Sequence, residues 1–317
     1  MDSPQVSILI PLFNEEETYP KLIERLVSLM DSSEVKMEVL LVDDGSTDNT
    51  SQFMRLTALS DPRFQCLFLS RNHGHQLALS AGFEYARGTE AVFVLDGDLQ
   101  DPPELFPKFY EEYKKGSDVV YAIRRKRKET RFRKIAYFLY YRLLKSISYI
   151  DLPLDSGDFS LISRRVINIL NKMPEESRYI RGMRSWVGFK QTGIEYDRVE
   201  RKDGQSKYSF GMSLKMAYNG IFSFSEFPIK FITWLGIGAI SISFPYLIVT
   251  MYKKLFTNSV PQGFTAILSV IIMFSGVQLV SIGVLGEYII RIFFQSKKRP
   301  LFIVKEHIIE GKYKNEV

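Results

Sequence analysis

The sequence has a single cysteine, Cys66, among its 317 residues. One thiol excludes a disulfide framework and a thiolate metal cluster. No secretory signal is expected, because Met1–Gln5 lead straight into a strand-like run. There is no internal repeat and no low-complexity tract. Two segments also lack charge. Residues 229–251 carry only Lys230, at their edge, and residues 264–286 carry none. Soluble helices rarely run this far without a charge, and each segment is long enough to cross a hydrocarbon core of about 30 Å.

What is present is a basic chain, net charge +6 with a pI near 9.1, in which 45% of residues are hydrophobic. That suits one mid-sized domain plus an appendage. Residues 1–220 read as a charge-rich soluble domain and residues 221–317 as a membrane region. The spans are expected near 229–251 and 264–290, joined by the short turn "YKKLFTNSVPQG" into a hairpin with both ends on one side. Arg291, Lys297, Lys298 and Arg299 follow the second span, against Lys253 and Lys254 in the connecting loop. Positive residues favour the cytoplasmic side. The soluble domain and the C-terminus are therefore expected in the cytoplasm, on a multi-pass protein of the inner (plasma) membrane.

Within the soluble part, "QVSILIPLF" (5–13) reads as a strand, followed by a helical pattern from Asn14 to about Met30. "KMEVLLVDDGS" (36–46), "FQCLFLS" (64–70), "EAVFVLD" (90–96) and "DVVYAI" (118–123) read as four more strands. A helix is expected after "STDNT", and another over "RNHGHQLALSAGFEYARG", ended by Gly88. Strands alternating with helices predict a doubly wound, mostly parallel α/β sheet.

Ligands of such sheets bind beyond the carboxyl ends of the strands. Asp43 and Asp44 end the second strand, and Asp96 and Asp98 end the fourth. Four carboxylates are thus expected to converge on one rim. Unpaired, they would repel and raise one another's pKa. A divalent cation removes that problem, and hard oxygen ligands suit Mg²⁺ or Mn²⁺ completed by substrate phosphates. Asp48 and Asp101 read instead as ordinary turn or helix-cap residues.

"PLFNEE", "VDDGSTD", "RNHGHQLALSAG" and "LDGDLQDPPE", together with "DSGDFSLISR" and "SKYSF", resemble inverting glycosyltransferases of family 2, in particular the dolichol-phosphate mannose synthase group. With the two C-terminal spans, the chain is similar to bacterial polyprenyl-phosphate glycosyltransferases, which include the bactoprenol glucosyl transferases of O-antigen modification. The resemblance implies a GT-A (Rossmann-like) fold, a nucleotide-sugar donor and a polyprenyl-phosphate acceptor. By position it implies that Pro11, Phe13, Glu15 and Asp44 hold the nucleoside and that His73 and Gln76 line the donor pocket. It places Asp96 near the donor diphosphate and gives Asp98 and Gln100 the metal. It also places Asp158, in a loop over 152–165, close to the reacting centre. The acceptor is a phosphate, largely ionised at neutral pH, so it needs no strong base. Asp158 as a base is therefore a hypothesis, alongside orienting the acceptor or stabilising positive charge on the sugar.

"YAIRRKRKETRFRK" (121–134) holds eight Lys and Arg in fourteen residues. It leads into a segment, about 130–150, with the pattern of a helix lying in a membrane interface. By family position Arg124 and Arg133 are the candidates for the acceptor phosphate, since Arg matches phosphate oxygens by paired hydrogen bonds. "FSFSEFPIKF" (222–231) reads as a second interfacial segment. A loop around 198–210 is implied to close over the donor, with Arg201 and Lys207 neutralising the diphosphate. Glu287 and Arg291, spaced i,i+4, are expected to pair.

Processive synthases carry Gln-x-x-Arg-Trp near the position of "RGMRSW", and this chain lacks it. A single transfer is therefore expected, with UDP-glucose the preferred donor and GDP-mannose or an amino sugar the alternatives. Cell-envelope or lipopolysaccharide glycosylation is the implied context. A homo-oligomer is compatible with this reading, and nucleic acid is not an expected partner. The rival from another class is a membrane-bound protein that binds nucleotide sugars or anionic lipid without turnover.

Overall fold

The computed structural model describes residues 3–124, 156–176, 178–197, 227–256 and 263–314. The expected interfacial segment at about 130–150, the first part (222–226) of the one expected at 222–231, and the candidate residues Arg133, Arg201 and Lys207 lie outside the described residues.

The first strand, β1 (Val6–Leu12), is buried along its whole length, as is β2 (Met37–Asp43). Continuous apolar runs of this kind belong to parallel strands covered on both faces. β3 (Phe64–Leu69) and β4 (Ala91–Val94) complete a parallel group in the order β3-β2-β1-β4. α1 (Tyr19–Ser32), α2 (Thr50–Ser60) and α3 (His75–Tyr85) connect them. Side chains alternate across the sheet. Ile8, Ile10, Val39 and Leu41 enter one core, and Leu9, Leu40 and Val42 the other. The Phe93 ring packs edge-on against Phe106 and Phe109 in the first core.

α1 starts at Tyr19, not Asn14. Asn14 has φ 53°, a left-handed turn conformation that suits asparagine, and Pro20 occupies the first helical turn. Pro11 is tolerated inside β1 because the β1–β4 ladder stops at Leu9↔Val94. Beyond it β1 pairs only with β2, so a missing N–H breaks nothing on the other side.

The rest of the sheet departs from the expected parallel order. After α4 (Phe106–Lys114), β5 (Val119–Arg124) does not join β4. β6 (Ser156–Ser163) inserts between them, antiparallel to both. α5 (Arg164–Lys172) and α6 (Ile180–Trp186) follow, and β7 (Gln191–Tyr196) runs parallel to β5. The sheet is therefore mixed around a parallel centre.

Two long apolar helices come next, α7 (Phe227–Phe256) and α8 (Phe264–Ser296). Trp234 and Leu279 are 71% and 70% exposed, so apolar side chains on both helices face outward. Among the described residues, one segment, Phe274–Ser296, is long and apolar enough by length and composition to cross a membrane. The expected two-span hairpin is thus matched at one span by that criterion. Arg291 donates to Glu287 at 2.9 Å, as their spacing predicted.

The chain then returns to the sheet. β8 (Val304–Ile309) lies antiparallel to β3, and β9 (Lys312–Lys314) pairs with β8. Ile308 is fully buried, and Arg55 donates twice to Glu306, at 2.8 and 3.0 Å. From the sequence this segment is expected only as a cytoplasmic C-terminal tail.

Candidate active site

Strands β1, β2 and β4 run parallel and end at one rim. The antiparallel β6 begins there. Its register with β4 runs from Ala91↔Ser163 to Val94↔Ser160. Two more residues along that register set Asp96 opposite Asp158. Against β5, β6 is irregular: Tyr121 faces Ser160, but Ile123 faces Ser156. The extra residues around Asp158 form a bulge, a common device for aiming a side chain at a site. The expected loop is thus a strand from Ser156 onward, and Asp158 stands on its bulged start.

Asp158 is 5% exposed and heavily bonded. Arg181, on α6, donates Nε to Oδ1 at 2.9 Å and Nη2 to Oδ2 at 3.1 Å. Gln76, in the first turn of α3, donates Nε2 to Oδ2 at 3.2 Å, while its Oε1 accepts from Ile180 N at 2.8 Å. His75 opens α3 with its Nε2 3.3 Å from Asp158 Oδ2 and 3.8 Å from Asp96 Oδ1. Burial alone would raise the Asp158 carboxyl. The Arg181 charge and the bonds from His75 and Arg181 outweigh it and hold the group well below the ordinary carboxylate range. His75 shows the opposite sign. Its surroundings disfavour the imidazolium, yet the Asp158 bond and the Asp96 charge lift it above the ordinary histidine value.

The loops after β1 and β2 are laced together. Asn14 accepts from Thr47 N at 2.7 Å, and Ser46 and Thr50 hydroxyls accept from Asn14 N and Glu15 N at 3.0 and 2.9 Å. Asp44 accepts the backbone N–H groups of His73 and Gly74 at 2.7 and 2.9 Å. Burial lifts its carboxyl above the ordinary value, against the pull of those two bonds. Gly45 makes the fit possible. Its φ is +73°, and a Cβ there would lie 2.6 Å from Arg71 C and Asn72 N. Phe13 is 37% exposed at the mouth of this region. Glu15 accepts from Thr18 Oγ1 at 3.0 Å.

Asp43 and Asp44 end β2 at the same rim but are bonded by their own loops. Asp43 accepts from Ser46 N at 2.9 Å and from the Ser51 hydroxyl, and Asp44 holds the 73–74 backbone. Both carboxylates are satisfied by the chain itself, which corrects the expectation of four acids facing a cation. Among the described residues no group of three His, Cys, Asp or Glu side chains forms a metal set. Asp98 and Gln100 flank Leu99, whose φ of 60° folds the backbone so that Gln100 N reaches Asp98 Oδ1 at 3.1 Å. A carboxylate and an amide oxygen are hard donors. They fit a Mg²⁺ or Mn²⁺ ion, which usually takes one or two carboxylates and completes its shell from substrate phosphates.

The structure brings Asp96, Asp158 and Gln76 together and puts Asp44 beside the 73–74 backbone. It places Pro11 in β1 and Arg124 at the end of β5, opposite Tyr196. His73 engages Asp44 through its backbone, and its ring Nε2 lies 3.5 Å from Ser70 Oγ. The histidine within the carboxylate cluster is His75. Sequence reasoning missed it, and missed Arg181. Gly74 was the available signal for His75, because a glycine with φ 96° before α3 makes the next residue the first of the helix. Arg181 left no comparable trace, since its partner is 23 residues away. Asp101 is no ordinary turn residue: it is buried and accepts from Tyr196 Oη at 2.5 Å.

The chain matches the model of glycosyl transferase family 2 over residues 7–170. It is 44% identical over 310 residues to the uncharacterized glycosyltransferase YkcC of Bacillus subtilis, covering 97% of this chain and 96% of that one. It is 37% identical over 302 residues to the bactoprenol glucosyl transferase of Shigella phage SfV, covering 95% and 98%. Among solved structures, glucosyl-3-phosphoglycerate synthase from Mycobacterium tuberculosis, in complex with Mn²⁺, UDP-glucose and phosphoglyceric acid, aligns over 69% of this chain and 79% of that one. The TM-score is 0.45 at 18% identity.

Proposed function

This chain belongs to glycosyl transferase family 2, and on that premise we propose that it transfers one glucose from UDP-glucose to polyprenyl (undecaprenyl) phosphate, with inversion, at the cytoplasmic face of the inner membrane. One observation carries the choice of acceptor. The likeness to the bactoprenol glucosyl transferase covers 95% of the chain and so runs through both long helices, well past the family domain. Family membership also removes the rival of a binding protein without turnover.

The chemistry follows from the charges at the rim. An oxygen of the acceptor phosphate attacks the anomeric carbon, the bond to the nucleoside diphosphate breaks, and the diphosphate takes the electron pair. The attacking oxygen is already ionised, so no strong base is required. Asp158 fits no base role, because its oxygens are engaged by Arg181, Gln76 and His75 and its proton affinity is low. Its work is to fix His75 and Arg181 beside the end of β4. Asp98 and Gln100 would hold the divalent cation, which supplies charge neutralisation to the departing diphosphate when bound. Asp44 and the loop it pins, with Pro11, Phe13 and Glu15, would hold the nucleoside. Arg124, at the end of β5, would take the acceptor phosphate, with Arg133 its expected companion; Arg201 and Lys207 would close over the diphosphate.

The C-terminal strand supports the two-span arrangement. The soluble domain precedes α7, and β8 after α8 is part of the same sheet. A chain that leaves and rejoins one sheet crosses a bilayer an even number of times. If α8 spans, α7 spans with it, and both ends lie on the side of the catalytic domain. The basic residues after α8 favour the cytoplasm for that side.

The test is sugar transfer by the purified full chain. It is incubated with radiolabelled UDP-glucose, polyprenyl phosphate and Mn²⁺ or Mg²⁺, and label is counted in the organic phase. Metal-dependent label that EDTA and Asp98→Ala abolish is the expected result. Label only with GDP-mannose or an amino-sugar nucleotide would change the donor, and no label with any donor would overturn the reading.

A further inference from the structure

Arg184 is the largest of the fully buried side chains, at 1% exposure. It lies on α6, three residues after Arg181 and so on the same helix face. Its Nε and Nη1 have no hydrogen-bond partner among the described residues. Nη2 makes one long contact, 3.5 Å, to Gly157 O, and the guanidinium stands 5.6 Å from the Tyr121 ring. Burial pushes its pKa down to about 10, with Asp158 pulling up and Arg181 pushing down, so the group is still cationic at neutral pH.

A buried guanidinium with two idle nitrogens is costly unless something accepts from them. The neighbouring carboxylate does not, because Asp158 is already bonded by Arg181, Gln76 and His75. The contacts of Arg184 also mark the place where the sheet is interrupted. Gly157 belongs to the β6 bulge, and Tyr121 is the last β5 residue before the register shift. That interrupted ladder adjoins Asp158 on one strand and leads to Arg124 on the other.

We propose that Arg184 is a phosphate-binding residue of the site, taking an oxyanion of a substrate phosphate on its unpartnered N–H groups beside Arg181. The two sources of that chemistry are the acceptor's phosphate and the donor's diphosphate. A guanidinium fork matches two phosphate oxygens, and burial strengthens the pairing. This rests on the transfer reaction above.

The experiment uses the full-length protein with Arg184→Gln and Arg184→Lys, measuring kcat and KM separately for each substrate. The expected result is a tenfold or larger rise in KM for one phosphate substrate in Arg184→Gln, with the other KM within twofold. A smaller rise is expected in Arg184→Lys, which keeps the charge but loses the fork. A rise for polyprenyl phosphate assigns the acceptor, and one for UDP-glucose assigns the donor. Folded variants with both KM values within twofold of wild type overturn the proposal, whatever happens to kcat. Should the variants not fold, binding to the wild type decides. The arginine Nε–H resonances of ¹⁵N-labelled protein are followed while inorganic pyrophosphate, and separately a short-chain polyprenyl phosphate, is added. A strongly downfield, protected Nε–H signal appearing with either ligand supports the site, and its absence with both overturns it. Wild-type transfer is the parallel control. If it fails while the anion signal appears, the transfer reading falls and the anion site stands.

Discussion

Arg181 grips Asp158 with both ends of its guanidinium fork, Nε to Oδ1 at 2.9 Å and Nη2 to Oδ2 at 3.1 Å. This bidentate pair joins a helix that follows the sheet to a strand inside it, at the point where β4 delivers Asp96. It makes Asp158 an organiser of the site.

Asp158→Asn should therefore lower kcat by roughly 10- to 100-fold, the range of a lost positioning contact. It should also lower the thermal midpoint. The pH dependence separates this from loss of a base. The folded carboxyl lies well below its ordinary value. A depressed carboxyl contributes stability above its unfolded pKa, about 3.9, and loses it as pH falls through the folded value. The stability gap between wild type and variant should widen as pH falls through the raised His75 value to about 6.5, because the variant loses the lift that Asp158 gives His75, then hold and shrink only below about 4. A gap that closes between pH 7 and 5 would contradict the assignment.

Gly45→Ala should loosen the donor side. An added Cβ would meet the backbone at Arg71 and Asn72 at 2.6 Å, in a residue with φ +73°. Both penalties fall on backbone that cannot swing away, so a loss of about 1–3 kcal/mol is expected. The displaced 71–74 loop would pull His73 and Gly74 from Asp44. The measurement is equilibrium unfolding together with the KM for the nucleotide sugar, which should rise while the acceptor KM holds.

Ile308→Ala tests the returning strand. Ile308 is fully buried against β3, opposite Cys66. Truncating it should cost about 2–5 kcal/mol, as for other buried aliphatic residues cut to alanine. A loss under about 0.5 kcal/mol, the size of an ordinary surface change, would mean that β8 does not belong to the folded sheet. Unfolding followed by tryptophan fluorescence or circular dichroism decides it.

Topology is open to thiol labelling, because Cys66 is the one native thiol and is buried. In intact cells, Gly263→Cys, at the start of α8, should react with a membrane-impermeant maleimide. Lys312→Cys, on β9, should react only after permeabilisation. Labelling of Lys312→Cys alone without permeabilisation would place the catalytic domain outside, and labelling of both would mean that the helices do not cross.

Much of this was legible in the sequence. β1 to β5 could be read because buried strands are short apolar runs closed by turn residues, and "LDGDLQDPPE" announced acids at a strand end. The Glu287–Arg291 pair followed from helical spacing alone. Asp43 and Asp44 depart from the expectation of four carboxylates sharing a cation at one rim. Local N–H and hydroxyl donors satisfy them instead, and side chains so short bond their own turns readily.

By itself the sequence determined the parallel centre, the apolar helices and the strand ends that carry acids, because each depends on local periodicity and on neighbours a few residues away. Only the tertiary structure decided the rest. The insertion of β6 between β4 and β5 reverses one strand, so that its beginning meets the ends of its neighbours and Asp158 comes to face Asp96 and His75. Likewise β8 finds its place on β3 some 240 residues from its partner. Such contacts depend on which edge of the sheet is left open once the other elements have packed, and no local pattern encodes that.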